Sequence, residues 1–71
     1  NRLAQYILGH MYEKGRGVEI DEVQALKWYY LAAVQGETRA KTARERVTVW
    51  MNPEQIAEAQ RLAREFRVVK P

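Results

Sequence analysis

An all-α chain is expected from this sequence: an α-solenoid of two antiparallel helix pairs. Apolar residues recur at three- and four-residue spacing in four segments, and none of the segments alternates as a strand does. Glycine, proline and capping residues stand at the segment ends. The second half of the chain repeats the first in helix order, cap type and stripe phase.

The first segment runs from Arg2 to Lys14, with Ala4, Ile7, Leu8, Met11 and Tyr12 on one face. Gly15 supplies its stop, because glycine takes the left-handed conformation that ends helices. A loop, Gly15 to Ile20, leads to the second segment, Glu22 to Gln35. Asp21 suits its N-cap and Gln24 stands at capping-box spacing. Ala25, Trp28, Tyr29 and Ala32 form the stripe, widened by Leu31 and Ala33, and Gly36 terminates it. Trp28 is expected to be mostly buried between the helix pairs. The third segment, Glu37 to Trp50, has a thin stripe of Ala40, Ala43, Val47 and Trp50, whose small residues allow close helix approach. The fourth opens with Asn52-Pro53-Glu54-Gln55, an N-cap, a proline at the first helical position and a capping-box glutamine. Ile56, Ala59, Leu62, Ala63 and Phe66 carry it to about Arg67, and Val68 to Pro71 read as a tail.

Shifting Ala4, Ile7 and Met11 by 36 positions lands on Ala40, Ala43 and Val47. The caps Asp21 and Asn52 differ by 31, so the second loop is shorter. Under that shift Ala25, Trp28, Leu31 and Ala32 land on Ile56, Ala59, Leu62 and Ala63. Helix pairs repeating at this spacing bury each unit's apolar face against the next.

The run Ala4-x3-Leu8-Gly9-x2-Tyr12-x2-Gly15-x-Gly17-Val18-x2-Asp21-x3-Ala25-x2-Trp28-Tyr29-x2-Ala32-Ala33-x2-Gly36 resembles a Sel1-like repeat, a relative of the tetratricopeptide repeats. Residues 1–36 are expected to be one complete repeat. Residues 37–71 lack the Leu-Gly-x2-Tyr core and the Gly-x-Gly loop, and are similar to the degenerate helix pair that closes such arrays. The chain begins at Asn1 without an initiator Met, and the expectation is a piece of a longer array. The pattern's residues have structural roles: Gly9 admits a partner helix, and Trp28 and Tyr29 fill space left by the alanines.

Composition excludes several classes. There is no cysteine, hence no disulfide or thiolate metal site. With 46% hydrophobic and 30% charged residues, the balance is that of a globular domain. No membrane-spanning run or signal segment is present, and the compartment, cytoplasm or periplasm or secreted, stays open. Net charge is +3 but uneven. Asn1 to Thr38 holds four basic and five acidic residues, Arg39 to Pro71 eight and four. That asymmetry makes a basic nucleic-acid-binding module the alternative reading. Glu58–Arg61 and Arg61–Glu65, at helical spacing, dilute the basic face.

Chemistry is sparse. His10 is the only histidine, and with Glu13 it offers two ligands where zinc needs three or four. The carboxylate pairs Asp21/Glu22 and Glu54/Glu58 have no nearby base, and Thr38, Thr42 and Thr48 have none either. Gly15-Arg16-Gly17 is too short for a phosphate loop. No enzyme activity, metal or cofactor is expected.

The resemblance implies a concave surface, lined by the first helix of each pair, that binds a protein or peptide. Beside the packing stripe of the first helix lie Leu3, Tyr6, His10, Glu13 and Lys14, and the 36-residue shift adds Arg39, Thr42, Arg46, Val49 and Trp50. Tyr6, His10, Glu13, Arg39, Thr42, Arg46 and Trp50 are the expected contact residues, with Arg39 and Arg46 suggesting an acidic partner group. Self-association is expected through the Arg2–Tyr12 helix and the adjoining face of Glu22–Gln35, where Leu3, Tyr6, Ile7 and Leu8 lack a covering pair.

Overall fold

In a computed structural model, which describes residues 1–68 and side chains through Phe66, four helices follow in order. They are α1 (Arg2–Lys14), α2 (Glu22–Val34), α3 (Thr38–Thr48) and α4 (Pro53–Val68). No strand occurs among the described residues. The arrangement is the all-α, solenoid-type fold expected. The expected tail from Val69 onward, and the side chains of Arg67 and Val68, lie outside the described residues.

The ends form as capping chemistry dictates. Asn1 accepts from the backbone N–H of Ala4 at 2.9 Å. Asp21 accepts from Gln24 N–H at 3.1 Å, but the Asp21 N–H donates to the Tyr12 carbonyl instead of to a glutamine side chain. The capping box at α2 is therefore half made, and its other half ties the loop to α1. At α4 it is complete: Gln55 N–H donates to Asn52 Oδ1 at 2.8 Å, and Asn52 N–H donates to Gln55 Oε1 at 3.0 Å. After α2, Gly36 takes a φ of 94°, and Glu37 N–H reaches the Ala32 carbonyl while Gly36 N–H reaches that of Ala33. That is the Schellman closure, which satisfies carbonyls the helix leaves free.

The helices form two layers. The first helices, α1 and α3, are linked by contacts of Glu13 with Arg46 and of Tyr6 with Arg39. The second helices, α2 and α4, are linked by Tyr30 with Gln60 and Trp28 with Phe66. Helix α2 is the hub, packing on α1, α3 and α4. Ala25, Leu26, Tyr29, Leu31, Ala32 and Ala33 are buried on it, joined by Ala40, Ala43, Val47, Met51, Ala59 and Ala63. At the α1–α2 crossing, a Cβ placed on buried Gly9 would stand 2.7 Å from the Tyr29 ring and 3.1 Å from the Ala25 carbonyl. Only glycine permits that approach.

Two expectations about packing need correction, and one holds in part. Trp28 is covered over most of its surface between the helix pairs, as expected, edge-on to Phe66 of α4 at 5.3 Å, but it is not fully enclosed. The core aromatic is Tyr29, which is 0% exposed. Trp50 is 78% exposed, because α3 ends at Thr48. The Trp50 and Met51 N–H groups bond back three residues, to Val47 and Thr48, which tightens the turn. Pro53 disfavours helical backbone at the residue before it, so the helix must stop by Asn52. The changed phase sends Met51 inward in place of Trp50. On α1 the side facing α2 is Tyr6, Gly9, Tyr12 and Glu13, whereas Leu3, Ala4 and Ile7 of the apolar side are exposed.

Candidate partner-binding surface

The layer of first helices brings together side chains more than thirty residues apart in sequence. Glu13, in the last turn of α1, is the centre. Its Oε1 accepts from the Tyr29 hydroxyl at 2.6 Å and from Arg46 Nη2 at 2.6 Å, and its Oε2 accepts from Arg46 Nε at 3.2 Å. Lys14 Nζ lies 3.9 Å from Oε2. One turn and more up α1, the Tyr6 ring is 5.9 Å from that of Tyr29 and 6.4 Å from that of His10. The Arg39 guanidinium lies 5.1 Å from the Tyr6 centroid, a cation–π distance. Arg39 also donates Nε to Glu37 Oε2 at 2.7 Å and Nη2 to Glu37 Oε1 at 3.2 Å. The buried carboxylate of Glu37 thus holds the guanidinium over the tyrosine.

The electrostatics follow from these partners. Burial pushes the Glu13 carboxyl upward, but hydrogen bonds from Arg46 and Tyr29, with the charges of Arg46 and Lys14, outweigh it and hold it below the usual carboxylate value. Glu37 is likewise held low, chiefly by the Arg39 hydrogen bond. Burial, together with the adjacent Glu13, raises the Tyr29 hydroxyl well above an ordinary tyrosine, so it stays a donor at neutral pH. Every buried side-chain polar atom among the described residues has a partner.

Of the seven residues singled out from sequence, Tyr6, His10, Glu13, Arg39 and Arg46 lie in this contact network. Thr42 is exposed on α3 between the two arginines in sequence. Trp50 stands beyond the end of α3, exposed and without an aromatic or cation–π contact among the described residues. Each arginine holds an intramolecular carboxylate while its side chain stays exposed, 60% for Arg39 and 48% for Arg46. Two participants were not foreseen: Tyr29, read as a space-filler, and Glu37, read as a helix start. The acid at Glu37, two residues before Arg39, was the legible hint for one. For the other, only the depth of Tyr29 beneath Glu13 reveals the link.

Beyond this surface, Arg61 donates to both Glu58 and Glu65, so its charge too is balanced. Three of the arginines that suggested nucleic acid are thereby paired. No group of three histidine or acidic side chains fit to hold a metal occurs among the described residues, and no described helix is long and apolar enough to cross a membrane.

Two layers of helices, a shared alanine-rich hub and an ordered polar surface define a helical repeat protein of the solenoid type. The match is to the family described as Sel1 repeat, over residues 2–37, and the chain belongs to that family. Sel1 repeats generally mediate protein–protein interaction and are typically non-catalytic scaffolds. No curated protein and no solved structure matches the chain.

Proposed function

We propose that this protein is a non-enzymatic interaction scaffold whose α1–α3 face, with Tyr6, His10, Glu13, Arg39, Thr42 and Arg46, receives a protein or peptide partner. The observation that carries the reading is the pre-ordering of that face. Tyr6 and both arginines are already held by Glu13, Glu37 and Tyr29. Side chains fixed before binding lose little entropy on association. Tyrosine and arginine are also the residue types on which interface energy concentrates. Trp50 is an exposed aromatic at the margin of this face. The partner meets a charge-balanced surface, so shape and aromatic contact outweigh net charge in the reading.

In the same proposal, residues 1–36 are a complete repeat and 37–71 a degenerate closing pair, within a longer array. The 36-residue shift supports it: Ile7 is 48% exposed, while its counterpart Ala43 is buried against α2. A helix standing to α1 as α2 stands to α3 would cover Ala4 and Ile7, the counterparts of buried Ala40 and Ala43. In the isolated chain, a second copy takes that place.

The test is selection of binders from a random peptide display library, followed by amide chemical-shift mapping. Shifts centred on Tyr6, His10, Arg39, Thr42 and Arg46, and binding lost in Tyr6→Ala, are expected. Binders that leave those amides unmoved defeat the proposal.

A further inference from the structure

The opposite layer carries a feature that the first-helix surface does not use. Between α2 and α4 lies an open groove of about 240 Å³, lined by Tyr30, Leu31, Val34, Gln60, Ala63 and Arg64. Leu31 and Ala63 are buried and make an apolar floor, while Val34, 59% exposed, stands at the rim. Gln60 Nε2 donates to the Tyr30 hydroxyl at 3.1 Å and joins the two walls. The volume is below the roughly 300–1,000 Å³ of small-molecule sites and suits one branched aliphatic side chain.

Charge says what accompanies that side chain. No lining residue is acidic, and Arg64 has no carboxylate within ion-pair distance among the described residues. Arg44 has none either, and its guanidinium lies 5.7 Å from the centroid of the Tyr30 ring. This contrasts with Arg39, Arg46 and Arg61, each of which is paired. The groove thus joins an apolar floor to cations that have no carboxylate partner among the described residues. A stacking nucleobase is the poorer fit, because Arg44 already occupies space over the Tyr30 ring.

We infer that the α2–α4 groove is a second docking site, for an acidic peptide segment that seats one leucine-like side chain on Leu31, Val34 and Ala63 and sets a carboxylate against Arg64. A guanidinium–carboxylate contact at such a rim is charge-assisted and adds direction as well as affinity. The site is independent of the α1–α3 face, and its test separates the two.

The probe is a fluorescein-labelled peptide with a single leucine flanked by two acidic residues on each side, titrated with the 71-residue chain by fluorescence anisotropy. Saturable binding is expected. Arg64→Glu and Val34→Asp should each weaken it about tenfold or more, the loss of one charge-assisted contact or of the apolar seat. Replacing the peptide leucine by alanine should weaken it similarly, and Arg39→Ala should leave it unchanged. Circular dichroism establishes that each variant is folded; should Val34→Asp unfold, the milder Arg64→Ala and the peptide substitution decide. The inference is overturned by absence of binding, by equal affinity of the alanine peptide, by insensitivity to Arg64, by loss of binding in Arg39→Ala, or by an oligothymidylate that competes more strongly than the peptide.

Discussion

Glu13 shows how much a single side chain is asked to hold in a small helical domain. It satisfies the hydroxyl of the most deeply buried aromatic, anchors an arginine from the next helix pair, and lies beside Lys14. Exposed ion pairs contribute little, but this carboxylate is mostly covered and also serves Tyr29. Glu13→Gln keeps the shape and removes the charge, and should cost about 1–2 kcal/mol at neutral pH. The pH dependence has a definite sign. The folded carboxyl is depressed below its unfolded value, so the stabilisation is complete above the unfolded value of roughly 4.3 and is lost as pH falls through the folded one. Urea midpoints of the wild type and Glu13→Gln should therefore differ by a constant amount in neutral solution and converge in acid. A gap that persists unchanged well below the carboxylate range would mean that Glu13 acts through shape alone.

At the level of helices, α2 decides the architecture. An amphipathic helix buries one stripe, but α2 meets three neighbours and buries residues over a broad arc. Its apolar positions are accordingly poor guides to depth. Tyr29 and Trp28 are adjacent aromatics with different fates, one enclosed beneath Gly9 and the other packed on Phe66 with part of its ring exposed. Tyr29→Ala should cost about 3–5 kcal/mol, the range of large aromatic truncations in cores. Trp28→Ala forfeits an aromatic pair worth about 0.5–1.5 kcal/mol and some partial burial, and should be clearly milder. Thermal unfolding of the two variants checks the order; a Trp28→Ala protein less stable than Tyr29→Ala would reverse the assignment of the core.

Across the whole molecule, the near-repeat leaves an asymmetry. The stripe of α3 is covered by α2, whereas the corresponding Ala4 and Ile7 of α1 are exposed, Ile7 to 48%, with no covering helix among the described residues. Solenoid units bury such faces against neighbours. Sedimentation equilibrium of the isolated chain should show an average mass that rises with protein concentration, and Ile7→Lys should abolish the rise. A strict monomer at high concentration would show that α1 needs no cover. This outcome is independent of peptide binding at the α1–α3 face and at the α2–α4 groove.

The four helices, the caps at Asp21 and Asn52, the stops at Gly15 and Gly36 and the close approach at Gly9 were legible along the chain, because each depends on residues within a few positions or on a glycine whose missing side chain has one use. The 36-residue shift also foretold that Tyr6, Glu13, Arg39 and Arg46 share a face, since stacked repeats carry equal positions to equal places. What the local pattern left open was depth and partnership. Trp28 and Tyr29 have the same hydrophobic signature, and only three-sided packing around α2 separates them. Trp50 fits the α3 stripe by spacing, yet the tightened turn before Asn52-Pro53 rotates it out and Met51 in. Arg39 and Arg46 look like free cations in one dimension. Glu37 reaches Arg39 from two residues away, but Glu13 meets Arg46 because packing brings α1 against α3, and charge pairing across elements depends on distances that only the packed helices create.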